Sequence, residues 1–581
     1  MFGVAAVLAL GFVAWGFLAP SNLGTASSSA LGWVIGNLGW LFVLVASAFV
    51  VFVIWLAASK YGRIPLGRDD EEPEFRTVSW IAMMFSAGMG IGLMFFGVSE
   101  PLSHYVSPPP LTVEGETPQA VETAMATTLF HWSLHPWAIY AVVGLAIAYG
   151  TFRRGRRQLI SSAFAPLFGE RRTEGPAGKV IDILAIFATL FGSAASLGLG
   201  ALQIGSGAEI LGWAGDLGNG LLVAIIAILT VAFVVSAVSG IAKGIQLLAN
   251  INMVLALVLA VFVFVVGPTV FILNLVPTTV GNYFAELGDL AARTGASGGD
   301  PLDAWLSGWT IFYWAWWISW TPFVGMFIAR ISRGRTVRQF VTGVLLVPSV
   351  VSLIWFAIFG GAGIGAQRSG ADIAGEGTPE AQLFGVLETY PLATVMTVLV
   401  MVLVAIFFVS GADAASIVMG SLSERGTIEP SRKIVVFWGL VMGTVAAIML
   451  LVGEEALTGL QNITIVAALP FAFVMVGLAV SLAKDLRSDP LILRRTVAVE
   501  AIQQAVVEGI TRHGDDFVLV VESAPDADRD GVPDTASGTT PVAAAQHRGS
   551  DGAAGVADVG SPVPQRDDAA VRDARGATPG N

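Results

Sequence analysis

The sequence predicts an all-α polytopic membrane protein with twelve transmembrane helices, and three observations predict it. The first is composition: of 581 residues 55% are hydrophobic, 13% are charged and none is cysteine, and the mean hydropathy is +0.74. A soluble chain carries charge at about a quarter of its positions. Soluble enzyme, disulfide scaffold and nucleic-acid binder are therefore excluded, and neither redox control nor a Cys-based metal site is open. The second is a set of twelve apolar runs, each near the roughly 20 residues needed to cross about 30 Å of hydrocarbon. The third is the placement of Lys and Arg, which are retained on the cytoplasmic side. Connections after runs 2, 4, 6, 8 and 10 hold 19 of them and the alternate connections hold 2, and with 10 in the tail this accounts for all 31. Both termini are thus expected in the cytoplasm of a bacterial-type cell.

In chain order the runs are Phe2 to Ala19, Leu38 to Ser59, Val78 to Val98, Thr127 to Gly150, Ile181 to Ala201, Gly220 to Gly240, Ile245 to Val266, Ser307 to Ala329, Val341 to Gly360, Ala393 to Gly420, Ile434 to Val452 and Ile463 to Ala483. The first lacks a basic n-region and is long for a signal-peptide core, so it is read as a helix that begins without an N-terminal extension. The expected organisation is two peripheral helices (1–59), a five-helix repeat (78–266), an extracellular connection with an amphipathic helix (267–304), a second repeat (305–483), a cytoplasmic amphipathic segment (484–521) and a disordered acidic tail (522–581). The formal charge of -12 comes half from the chain beyond run 12, where 16 acidic residues face 10 basic ones. Asp526, Asp528, Asp530 and Gly531 imitate a calcium loop, but its twelfth position is Ser537 instead of Glu, so a solvated acidic linker is expected.

No Walker, HExxH or GxSxG context occurs, and no His and carboxylate cluster is evident inside the membrane, which argues against pump and intramembrane enzyme. Runs 3 and 8 are read as interrupted helices. Run 3 carries Gly88, Gly90 and Gly92, which weaken a helix and let a ligand reach backbone; run 8 carries Pro322, which removes a backbone hydrogen bond. Exposed backbone at this depth needs a cavity beside it. The two runs are five apart and enter from opposite sides, the pattern of an inverted-repeat secondary transporter with its site between the breaks. The plainer alternative is a small-residue packing face and an ordinary Pro kink.

Run 8 reads Trp314-Ala-Trp-Trp-Ile-Ser-Trp320. An interfacial belt accounts for Trp305 and Trp309, but not for Trp316, Trp317 and Trp320 near mid-span. Run 4 adds Trp132, Trp137 and Tyr140 within one broad helical sector. Such faces either pack together or form a box for a quaternary ammonium, whose cation they attract by about 0.5 to 2 kcal/mol per contact.

GMGIGLMFFGVSEPL in run 3, FHWSLHPWAIYAVVGLAIAY in run 4, FGSAASLGLGALQIG in run 5 and YWAWWISWTPFVGMFIARISRGR in run 8 resemble the signature segments of the betaine/choline/carnitine transporters. The run 3 pattern is similar to that of sodium-coupled glycine betaine symporters. The resemblance implies a LeuT-like 5+5 inverted repeat (helices 3–7 and 8–12), a homotrimer, and substrate held by Trp132, Trp137, Tyr140 and Trp317, with Trp316 and Trp320 on the inward route. It implies one sodium near Ser86, Met89, Phe407 and Ser410, and a second near Thr189, Ser193 and Phe323. Where some relatives have two successive hydroxyls in helix 10, this chain has Ser410-Gly411. Helix 5 contains no Arg that would stand in for a cation.

The leading expectation is uptake of glycine betaine or a similar compatible solute by sodium symport, with no cofactor and no nucleic-acid partner. The box takes the ammonium while the Gly88 to Gly92 backbone and Ser196 take the carboxylate. Alternatives are a choline, carnitine or ectoine carrier, a proton-coupled one, a transport-like osmosensor, and a channel, which lacks a filter's charge ring. Asp413, an intramembrane carboxylate, is either a proton site or a gate residue paired with an Arg such as Arg330, the latter favoured. Glu100 is read as a cap or outer-gate contact, and His131 and His135 as packing. The tail-proximal cluster Lys484, Arg487, Arg494 and Arg495 is placed to meet anionic lipid headgroups, unlike the acidic segment beyond it.

Overall fold

The computed structural model describes residues 1–88, 90–215, 218–239, 242–376, 378–427, 429–452 and 456–520; the side chains of 85–88, 238–239, 242–249, 376, 456 and 495–496 lie outside that description. Residues 1–499 form one compact unit and residues 500–581 a second. Among the described residues the chain is helical, and the one strand-like pairing is an isolated bridge between Pro65 and Thr336.

Span 1 is Phe2–Leu18, span 2 Pro20–Ala58, span 3 Thr77–Gly88 with Ile91–Val106, span 4 Pro118–Trp132 with Leu134–Ala148, span 5 Pro176–Ile210 and span 6 Asn219–Ser239. Span 7 is Ala242–Val266, span 8 Thr310–Ile331, span 9 Val337–Ala366, span 10 Ala393–Ser423, span 11 Arg432–Val452 and span 12 Ala456–Arg487. Eight of them (2, 4, 5, 6, 9, 10, 11 and 12) are long and apolar enough to cross a membrane on length and composition alone. The other four each have a local reason for falling short. Span 1 is a shorter apolar helix, span 3 is divided, and span 7 bends by 108° into the helix Thr269–Ala292. Span 8 is rich in Trp and Tyr, whose N–H and O–H groups lower its hydropathy and must find partners.

Exchanging each span with the one five later maps several of the main pairings onto one another. Span 4 packs on span 8 and span 3 on span 9; spans 5 and 10 pack together, as do 6 and 11; and span 5 meets 11 as span 6 meets 10. The first two pairs surround the divided helix, and the last four helices form a scaffold beside it. This is the 5+5 inverted repeat expected from the sequence.

One end of the helix bundle is tied by charge. Arg153 donates to both Asp489 oxygens at 3.0 Å, to the Gly67 carbonyl at 3.0 Å and to Asp69 at 2.6 Å, and the Tyr149 hydroxyl donates to Asp489 at 2.9 Å. Arg154 and Arg156 both pair with Asp485. The Leu66 N–H donates to the Arg335 carbonyl at 2.7 Å. The connections after spans 2, 4 and 8 and the end of span 12 therefore share one side, as the Lys and Arg alternation requires.

Span 2 begins eighteen residues before its apolar run and span 12 seven before, since helix outlasts the hydrocarbon-length core. The predicted amphipathic tail helix is found over Pro490–His513. Asp526, Asp528, Asp530, Gly531 and Ser537 lie outside the described residues.

Candidate functional site

Gly90 starts the second half of span 3 with extended backbone (φ -169°, ψ -178°). As the residue before the helix it leaves the N–H groups of Ile91, Gly92 and Leu93 without intrahelical acceptors, a positive end suited to an anion. The two glycines differ in role. A Cβ on Gly90 would meet nothing within 4 Å, so its backbone is open to a ligand, whereas one on Gly92 would lie 2.6 Å from Trp316 and 2.9 Å from Trp132. Gly92 is glycine because two indoles close over it.

Span 4 breaks where the sequence reading made it continuous. Ser133 takes φ -117°, ψ -110° between two helices. Pro136 is the cause: it has no N–H for the Trp132 carbonyl four residues back, and its ring crowds that carbonyl. Span 8 corrects the opposite expectation, because it runs unbroken through Pro322. The proline frees the Ile318 carbonyl, and the hydroxyl of Thr321 donates to it at 2.6 Å, so the lost bond is replaced locally.

The broken helices and the aromatic helix meet around one small cavity of about 40 Å³. Gly90, Gly92, Trp132, Trp137, Tyr140, Trp316, Trp317 and Trp320, all singled out from sequence, line it. Leu93, Pro136, Val324 and Ser352 line it as well and were not foreseen. The rings meet at angles: Trp132 stands edge-on to Trp317 at 4.9 Å, Trp137 edge-on to Tyr140 at 5.3 Å, and Trp316 stacks on Trp317 at 4.6 Å. Their N–H groups point elsewhere. Trp317 donates to the His131 carbonyl at 3.1 Å, Trp316 to the Ser196 hydroxyl at 3.1 Å and Trp320 to the Gly192 carbonyl at 2.9 Å. Ser196, named from sequence as a carboxylate contact, instead accepts from Trp316 and is not among the residues lining the cavity. Gly88 lies outside the described side chains.

Glu100 is not a helix cap: it lies inside the helix Ile91–Val106. It is fully buried, with Oε1 2.6 Å from His131 Nδ1 and Oε2 accepting from the Trp132 indole at 2.6 Å and the Tyr313 hydroxyl at 2.5 Å. His131 Nε2 lies 2.9 Å from the Thr310 hydroxyl, so His131 is bonded at both nitrogens instead of serving as plain packing. His135 does pack, stacked on Trp314 at 5.2 Å. Atoms of Glu100, His104 and His131 lie within 4.8 Å of one another. Yet the 2.6 Å Glu100 to His131 contact is a hydrogen bond, shorter than the roughly 3.4 Å between neighbouring ligands of a tetrahedral ion with bonds of about 2.1 Å. Tyr313 and His131 escaped the sequence reading as partners of Glu100 because they lie 213 and 31 residues from it, whereas His104, one helical turn away, was within reach of it.

Of the residues named for sodium, the Thr189 hydroxyl donates to the Ala185 carbonyl at 2.9 Å, and that of Ser410 to the Ile406 carbonyl at 2.8 Å. Each keeps lone pairs for a cation. Ser193 is buried, and Phe323 and Phe407 are half-buried. The side chains of Ser86 and Met89 lie outside the described residues. Asp413 is buried and accepts from Ser236 at 2.9 Å; no ion pair with Arg330, which is exposed, is seen among the described residues.

A family model described as the betaine/carnitine/choline family transporter matches residues 1–491. The chain is 50% identical over 526 residues to the betaine/ectoine transporter LcoP of Corynebacterium glutamicum, covering 90% of this chain and 83% of that protein. It is 44% identical over 491 residues to the glycine betaine transporter OpuD of Bacillus subtilis, covering 84% and 94%. With the match spanning both repeats and the cavity between them, the chain is a multi-pass membrane transporter, not an enzyme, and belongs to the betaine/carnitine/choline transporter family.

Proposed function

We propose that this transporter imports glycine betaine or a similar quaternary-ammonium compatible solute by sodium symport, in response to osmotic stress. The observation that carries the reading is the pairing, around one cavity, of indole and phenol rings with the open helix start at Gly90. A trimethylammonium group has no N–H to donate, so it is held by π faces, while the carboxylate of the same zwitterion suits the N–H groups of the second half of span 3. The printed names of LcoP and OpuD support this substrate class, and that of LcoP adds ectoine as a competitor to be tested.

Sodium is the coupling ion of this reading. Hydroxyl and carbonyl oxygens suit a hard cation, and Thr189, Ser193 and Ser410 supply them on the two scaffold helices next to the divided one. Ion binding would hold span 3 against spans 5, 8 and 10 and so link occupancy to closure. The reading includes a homotrimer in the plasma membrane, both termini cytoplasmic, and the repeats bounded at 78–266 and 305–483. Uptake of labelled glycine betaine into proteoliposomes, with and without an inward sodium gradient, tests it. Sodium-dependent accumulation supports the symporter; binding without accumulation overturns it in favour of a sensor.

A further inference from the structure

Two hydrogen-bond donors and a histidine nitrogen converge on a single buried carboxylate behind the aromatic cavity. Glu100 takes the indole N–H of Trp132, the hydroxyl of Tyr313 and Nδ1 of His131, and all four side chains are buried from solvent. An indole N–H can only donate, so the oxygen facing it is an acceptor. No Lys or Arg pairs with Glu100 among the described residues; its ion-pair partners are His131 and, at 3.6 Å, His104. His104 has no hydrogen-bond partner at either ring nitrogen. When ionised, this carboxylate shares its charge through hydrogen bonds with Trp132, which lines the cavity, and with Tyr313.

Trp132 lines the cavity, and Tyr313 stacks on Trp317 at 5.8 Å. A ring whose N–H or O–H donates to an anion gains electron density over its π face, and a low-dielectric surrounding leaves that polarisation unscreened. Resting on the reading of the cavity as a quaternary-ammonium site, we propose that Glu100 is a positioning residue that makes the box selective for cations: its charge, passed through Trp132 and Tyr313, deepens the π faces that receive the ammonium. The neutral shape of the box would accept a trimethyl group on nitrogen or carbon alike; the carboxylate sets the difference.

The test compares glycine betaine with 3,3-dimethylbutanoate, its isostere with carbon in place of the quaternary nitrogen, by binding to purified full-length protein in sodium. Wild type prefers betaine. Glu100→Gln keeps the size but removes the charge and brings amide N–H groups to a point where the Trp132 and Tyr313 donors already converge. It is expected to lower betaine affinity by about ten- to thirty-fold, as expected for loss of one to two cation–π contacts, while the weak affinity for the isostere stays unchanged. A parallel loss for both ligands would make Glu100 a purely structural support and overturn the proposal, as would an unchanged betaine preference. Tyr313→Phe supplies a second test that keeps the carboxylate and the Trp132 route but cuts the Tyr313 one: the preference is expected to fall by a smaller factor than in Glu100→Gln, and a loss as large as that of Glu100→Gln would place the selectivity in the hydroxyl and overturn it. A wild type that binds both ligands equally would overturn the cation-box reading itself, a result distinct from any of these.

Discussion

The indole N–H of Trp320 in span 8 donates to the Gly192 carbonyl of span 5 at 2.9 Å, fastening one edge of the aromatic cavity to the helix that carries Thr189 and Ser193. The helices can approach this closely because Gly192 has no side chain: an added Cβ would lie 2.6 Å from Ser319 Cβ and 2.9 Å from Trp320 Cδ1. Gly192→Ala is expected to cost about 1 to 3 kcal/mol of stability by overpacking. It should also raise the sodium concentration for half-maximal uptake, because it parts the helices proposed to share the ion. Thermal unfolding in detergent and sodium-dependent uptake check the two parts separately.

Trp317 stacks with Trp316 and closes on Trp132. Trp317→Leu keeps bulk but removes the π face, and betaine affinity is expected to fall about tenfold or more with folding retained. Trp317→Phe should retain more of it. Equal affinity of the two variants in a binding isotherm would refute a cation–π role for this ring.

Ser410 and Gly411 bear on coupling. Ser410→Ala is expected to raise the sodium needed for half-maximal uptake, since the neighbouring residue offers no spare hydroxyl. The converse change is sterically free, because a Cβ on Gly411 would meet nothing within 4 Å. Gly411→Ser should therefore be tolerated, with a small gain in helix stability of roughly 0.5 kcal/mol, and lower the sodium requirement. Initial uptake rates against sodium concentration decide both.

The Asp489 carboxylate, fully buried at the charged end of the bundle, answers to pH in a defined direction. Burial pushes its pKa up, but hydrogen bonds from Arg153, the Leu491 N–H and Tyr149 outweigh this and hold it below the ordinary value of 3.8. A depressed carboxylate stabilises the fold above the unfolded-state value and loses that contribution as pH falls through the lower folded value. Stability from this pair should be flat between pH 5 and 8 and decline only below about pH 4. Asp489→Asn should cost about 1 to 3 kcal/mol by removing one of the two carboxylates that Arg153 pairs with, Asp69 and the Gly67 carbonyl being kept, as read by unfolding temperature at pH 7.

The tail prediction separates its two charged parts. Deleting everything after Val521 is expected to leave uptake and its response to osmolality nearly intact, because an acidic segment is repelled by an anionic leaflet. Neutralising Lys484, Arg487, Arg494 and Arg495 together should blunt activation without abolishing betaine binding. Uptake against osmolality for the two proteins is the measurement; activation lost only on truncation would reverse the assignment.

By itself the sequence determined the twelve spans, the side shared by the basic connections, and most of the cavity's lining, because these depend on local composition and on helical spacing. Trp132, Trp137 and Tyr140, and Trp316, Trp317 and Trp320, are near neighbours in the chain, so a periodic reading reaches them. The glycines of span 3 announced its break, but only the tertiary structure decided which proline breaks its helix. Pro322 left span 8 whole because the Thr321 hydroxyl takes over the freed Ile318 carbonyl, while Pro136 divided span 4 at Ser133. Tertiary structure also turned Ser196 toward Trp316, gave Asp413 to Ser236 instead of Arg330, and brought Glu100 to Tyr313 across 213 residues. Those pairings join helices far apart in the chain, and no spacing within one helix encodes which buried donor will meet which acceptor.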